Sequence, residues 1–96
     1  GVTFINHDIT CMMFNYMDKE HRYKLRQGSI TIGNNVFIGA ESTVLYDVKI
    51  GNNVIIGAGS LVNKDIPDGV VAAGVPCRVI GSFEDYQQKM VKEESK

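Results

Sequence analysis

Few side chains in this sequence are equipped for chemistry, and they are spread along its length. His7 is the first. An imidazole with a pKa near about 6.5 can take a proton from a hydroxyl at neutral pH, which is general-base work; its plainer use is a hydrogen bond to backbone at the base of a loop. Lys64 and Arg78 are cations of the kind that hold phosphate, although each alone also reads as a solvated surface charge. Gly39-Ala40 and Gly57-Ala58 offer side chains so small that their backbone N–H groups stay open to a thin ligand. Cys77 has nothing to act as its base and reads as a small packed residue. A zinc site built from His7, Cys11 and His21 is conceivable on ligand count, but no metal is expected.

These residues need a scaffold, and the sequence writes one twice. Ile30–Thr43 reads ITIGNNVFIGAEST and Val48–Leu61 reads VKIGNNVIIGAGSL. Residues 32–49 and 50–67 are identical at eleven of eighteen aligned positions, a repeat that has to be read before any local propensity. Inside it runs a period of six. Ile32, Ile38, Val44, Ile50, Ile56 and Val62 are β-branched, and each is preceded two residues earlier by a small or aliphatic residue, from Ile30 and Val36 to Ser42 and Ser60. A helix would scatter this pattern around its surface. A strand puts residues i−2 and i on one face, so each hexad supplies two inward residues and then bends, with Gly and Asn tolerating the corners. Three hexads make a triangular coil, and coils stack at about 4.8 Å as a parallel β-solenoid. Ala40 and Ala58 then share one corner on adjacent coils. Phe37 and Ile55 point outward as an exposed apolar column, suited to an interface or a pocket wall.

Two segments break the period. Val2 and Phe4 fit the last inward pair of a preceding coil, and Gly1 is not a methionine, so the chain is expected to begin partway through an element of a longer domain. Residues 7–28, HDITCMMFNYMDKEHRYKLRQG, have no six-residue period and are expected to leave the solenoid as a long loop of the kind that is often functional. At the other end, Ile66-Pro67-Asp68-Gly69 is a turn signal, and VVAAGVPCRVI should follow as extended chain capping the last coil. Ser82 can cap a short helix with Asp85 in a loose capping box, and VKEESK should fray. The expected organisation is an all-β domain over residues 1–81 with the insertion 7–28, then a C-terminal helix and tail over 82–96.

The 96 residues suit one domain, with 44% hydrophobic and 22% charged residues and a net charge of about −1. That balance gives no reason to expect a nucleic-acid partner. No apolar run approaches the roughly 20 residues of a membrane span, the first residues lack a signal peptide's basic start, and two cysteines fit a reducing compartment.

The hexads resemble those of the hexapeptide-repeat acyltransferases, above all the galactoside and maltose O-acetyltransferase group. The resemblance covers residues 2–80 with a divergent middle, and rests on ITIGNNVFIGA, on VIIGAGSLVNKDIPDGVVAAGVPCRVI and on a histidine after a VTF-type strand. It implies a left-handed parallel β-helix, where the ordinary crossover rule would favour the right hand, and a cytoplasmic homotrimer that uses acetyl-CoA as co-substrate. It implies His7 as general base, the Ala40 N–H facing the thioester carbonyl, Ala58, Asn63, Lys64 and Arg78 along the cofactor, and Phe37 near a sugar or polysaccharide acceptor. Several positions depart from the family pattern. I-N-H-D stands where T-G-H-P is frequent, Cys11 follows where the family has a further histidine, Asn63 replaces a frequent threonine, Phe37 a frequent tryptophan, and Gly81 an arginine found in some members. Two other readings stay open: N-acetylation of an amino-sugar, or a non-catalytic β-helix scaffold or fragment.

Overall fold

The computed structural model describes residues 1–5, 7–8, 10–17 and 26–95. The repeat becomes three parallel ladders. β4 (Thr31–Ile32) pairs with β7 (Lys49–Ile50), β5 (Val36–Ile38) with β8 (Val54–Ile56), and β6 (Thr43–Val44) with β9 (Leu61–Val62), each eighteen residues apart in register. The chain visits the three ladders in turn and returns one rung lower. β1 (Thr3–Phe4) lies above β6, with Thr3 opposite Thr43 and Phe4 opposite Val44. This rung spans forty residues because the 7–28 insertion intervenes.

The lowest coil is shorter. Ile66 bridges Ile50, and β10 (Val70–Ala73) pairs with β8 so that Ala72 faces Ile56; both are sixteen-residue shifts. The two residues are lost between Val62, still eighteen from Val44, and Ile66; the Pro67-Asp68-Gly69 turn, with Gly69 at φ 72°, then leads into β10. β11 (Arg78–Ser82) then folds back antiparallel on β10, which is the capping segment the sequence suggested. Ser82 accepts the Asp85 N–H at 3.0 Å and caps α2 (Phe83–Glu94) as expected. α2 runs further than the sequence reading allowed. Glu84 and Asp85 in its first turn and Lys92 in its last complement the helix dipole, and Ser95 closes it on the Val91 carbonyl.

The core is the inward column of the period. Val44, Val48, Ile50, Val54, Ile56, Val62, Ile66 and Ala72 are buried, with Ile30, Val36 and Ile38 packed against them. The Asn-Asn pairs form one corner. Asn35 and Asn53 hold φ of 58° and 55°, a region Asn enters more readily than most residues. Asn52 accepts the Asn34 N–H at 2.7 Å, and Asp68 accepts the Asn52 N–H at 2.6 Å, so each coil is stitched to the next.

The described residues of the insertion include two short strands and a helix, where the sequence reading expected a loop. β2 (His7–Asp8) and β3 (Arg26–Gln27) pair antiparallel at its base, and α1 (Thr10–Met17) follows β2. The segment TCMMFNYM holds neither Gly nor Pro, and nothing in it breaks a helix. His21, needed for the zinc alternative, lies outside the described residues.

Candidate functional site

The corner between the β5/β8/β10 face and the β1/β6/β9 face carries the two Gly-Ala pairs. Gly39 and Gly57 are held by backbone bonds to the coil below, donating to the Ile56 and Ala72 carbonyls at 2.8 and 2.9 Å. A Cβ on Gly39 would stand 2.5 Å from the Ala58 nitrogen, and one on Gly57 would stand 2.9 Å from the Ala73 Cβ. Glycine is therefore required for the coils to approach here. Ala40 and Ala58 are exposed. Among the described residues, the N–H groups of Ala40 and Ala58 donate to no backbone carbonyl. Two free amide donors thus stand one above the other, about 4.8 Å apart by the strand spacing, on a column stripped of side chains. Buried backbone donors are nearly always paired, and open ones on a cleared edge suit the carbonyl and amide groups of a thin polar chain.

The column continues past the repeat. Ala73 takes the next rung under Gly57, and Arg78 is its antiparallel partner on β11. Arg78 therefore lies at the foot of the Gly39–Gly57–Ala73 line, next to the Ala40–Ala58 pair, and is exposed. Phe37 lies on β5, just before the upper Gly-Ala pair, and is 63% exposed. It stacks over Ile55, which stacks over Val71, so the outward apolar column expected of Phe37 and Ile55 has a third member.

The remaining candidates stand elsewhere. Asn63 and Lys64 follow β9 and occupy the next corner, one face away from Ala58. His7 enters the β2–β3 pair two residues beyond Ile5, whose N–H bonds to the Val44 carbonyl at 2.8 Å. The His7 backbone therefore leaves the stack at the same far edge as Asn63 and Lys64. Within one chain, Ala40, Ala58 and Arg78 form one group, and His7, Asn63 and Lys64 lie across a face from it.

Sequence reasoning missed a pair of buried hydroxyls behind the Gly-Ala corner. Ser42 and Ser60 are 0% and 2% exposed. Both donate to the Gly57 carbonyl, at 3.1 and 2.6 Å. The available signal was the appearance of serine at inward positions that are otherwise aliphatic. Cys77 sits half-buried beside them, its N–H on the Leu61 carbonyl; burial pushes its thiol pKa up, and the Ser60 hydroxyl partly opposes that. The tethered thiol is thus a packed group, as its setting in the sequence suggested.

Residues 29–64 match the family described as bacterial transferase hexapeptide (six repeats). Across 96% of the chain the sequence is 47% identical to protein CapG of Staphylococcus aureus, and spans 52% of that protein. Over 58% of the chain it is 57% identical to the galactoside O-acetyltransferase of Escherichia coli, of which it covers 28%. The structure overlays a galactoside acetyltransferase in complex with coenzyme A at a TM-score of 0.72 and 42% identity, over 92% of this chain and 42% of that one. The chain thus spans about half the length, or less, of the relatives it matches.

Proposed function

On the premise that this chain is a hexapeptide-repeat protein homologous to galactoside O-acetyltransferase, we propose that it serves in acetyl-CoA-dependent transfer of an acetyl group to a hydroxyl of a sugar or polysaccharide. The observation that carries this reading is the pair of free, stacked amides at Ala40 and Ala58 with Arg78 at their foot. A pantetheine arm is a thin chain of amides and methylenes ending in phosphates, and this column offers donors in line and then a cation. The coil is taken as the left-handed parallel β-helix of the family.

Acetyl-CoA supplies the acetyl group already activated as a thioester. In the proposed reaction His7 is the base that takes the proton of the acceptor hydroxyl as its oxygen bonds to the thioester carbon. The Ala40 N–H donates to the carbonyl oxygen, where negative charge builds. The carbon–sulfur bond breaks, and His7 returns its proton to the departing sulfur. Ala58, Asn63, Lys64 and Arg78 hold the cofactor, and Phe37 forms an apolar wall for the acceptor.

The edges of the face supply a reason for oligomerisation. One face of roughly 15 Å, at about 3.3 Å per residue, separates the His7 edge from the Ala40 edge in one chain. Reacting groups must meet at about 3–3.5 Å. A groove between neighbouring chains brings the His7 edge of one against the Ala40 edge of the next, and supports a homotrimer with sites at its interfaces.

Replacing His7 with Ala should lower acetyl transfer by about 10²–10⁴-fold, while titration calorimetry still shows acetyl-CoA binding. Turnover that survives the change removes His7 from the mechanism. A wild-type protein that gives no heat with acetyl-CoA is a scaffold, and the reading fails. Thiol release measured across hydroxyl and amine acceptors tells O-transfer from N-transfer.

A further inference from the structure

We infer that Ser42 and Ser60 are positioning residues that aim the Ala58 N–H into the cofactor track by pinning the carbonyl on the other end of the same peptide. The inference rests on the reading of that column as an acetyl-CoA track. Ser42 Oγ lies 3.1 Å from the Gly57 oxygen and 3.2 Å from the Ser60 nitrogen. Ser60 Oγ lies 2.6 Å from the same Gly57 oxygen and 3.1 Å from the Gly74 nitrogen. Each hydroxyl therefore faces one carbonyl and one amide N–H, and that of Ser60 also faces the Cys77 thiol. The amide can only donate, so each hydroxyl accepts from the amide and, while Cys77 keeps its own proton, directs its single proton to Gly57. Both lone pairs of the Gly57 oxygen are used, inside the coil, by side chains that are 0% and 2% exposed.

The Gly57 carbonyl and the Ala58 N–H belong to one peptide unit. That unit is planar and trans, so its C=O and N–H point in opposite directions. Holding the oxygen inward fixes the N–H outward, and two hydroxyl bonds to the oxygen also polarise the N–H as a donor. The hydroxyls thus explain why the inward column changes from aliphatic to serine at this corner alone. A valine at either position would fill the space and leave the carbonyl free to tilt.

The test uses Ser42→Ala, Ser60→Ala and Ser60→Thr in the intact chain, with coenzyme A as the probe. If the hydroxyls aim the amide, Ser60→Ala weakens coenzyme A binding about tenfold, the scale of one hydrogen bond. Its KM for acetyl-CoA rises by the same factor while kcat holds, and the carbonyl ¹³C resonance of Gly57 and the amide ¹⁵N resonance of Ala58 both move. Ser42→Ala does the same to a smaller extent, and Ser60→Thr, which keeps the hydroxyl, restores affinity. Variants that melt at lower temperature but bind coenzyme A as the parent does overturn the inference and leave the serines a structural role. Unmoved Gly57 and Ala58 resonances overturn it as well. A parent protein that binds no coenzyme A overturns the underlying reading of the track instead.

Discussion

The two copies of I-G-N-N-V-x-I-G-A are nearly the same in letters and differ in what they do. In the lower copy Ile50, Val54 and Ile56 are 1%, 0% and 0% exposed. In the upper copy the equivalent Ile32 is 40% exposed, and Val36 and Ile38 are only half-buried. The lower coil has a rung on both sides, β5 above β8 and β10 below it. The upper coil is covered from above on one face, by β1. Phe4, Gly28, Ser29, Ile30 and Ile32 line an open depression of about 550 Å³ at that end. Burial in a stack is thus a property of the neighbouring coil, and an identical side chain contributes only as much as its neighbours enclose.

Alanine at equivalent positions gives the widest test of that contrast. Ile50→Ala should cost about 2–5 kcal/mol, the range for emptying a fully enclosed isoleucine site. Ile32→Ala should cost under about 1.5 kcal/mol, because much of the side chain is already in water. Denaturant titration of both variants in the same 96-residue chain measures the difference. Equal losses would mean that the upper coil is as enclosed as the lower one in solution, and the contrast would collapse.

The asparagine corner sharpens the comparison at a smaller scale. Asn52 accepts the Asn34 N–H, and its own N–H is accepted by Asp68. Asn34 repeats the letter but, among the described residues, its side chain accepts from no coil above. Asn52→Ala should therefore lose about 1 kcal/mol, one hydrogen bond's net worth, and Asn34→Ala only a few tenths of that. Paired thermal melts decide the order, and a reversal would deny the stitching role to the side chain.

Much of this was legible in the sequence because a six-residue period is a direct record of which residues face in. The inward positions Val44, Ile50, Ile56 and Val62 follow from spacing alone, as does the shared corner of Ala40 and Ala58. Ser82 carries its capping chemistry in its side chain, which accepts the Asp85 N–H. Other features had no such record. α1 escaped because Met12 to Met17 fit a helix and a mixed apolar loop equally well. The extra length of α2 depends on Ser95 and Lys92 at its end, which composition presents as an ordinary charged tail. The separation of His7, Asn63 and Lys64 from Ala40 and Arg78 arises from which corner each hexad turns, and the linear order of the residues is silent on that. Ser42 and Ser60 were visible as exceptions to the pattern, but their meaning needed the Gly57 carbonyl between them.

Cys77 offers the smallest and most local probe of the lower corner, which has no thiol counterpart in the upper copy. Burial penalises the thiolate, so the Cys77 pKa stands above the usual thiol value, with the Ser60 hydroxyl working against the shift. Only the thiolate attacks an alkylating agent. At a given pH below the raised pKa, a smaller share of Cys77 is ionised than of an ordinary thiol, so in a Cys11→Ser background iodoacetamide should label the folded protein more slowly than the urea-unfolded chain. The rate should climb with pH, with its midpoint on the alkaline side of the unfolded one. Removing the opposing hydroxyl by Ser60→Ala should push that midpoint further in the same direction. A midpoint that moves the other way would mean that Ser60 does not reach the thiol, and that the lower corner is looser than its hydrogen bonds imply.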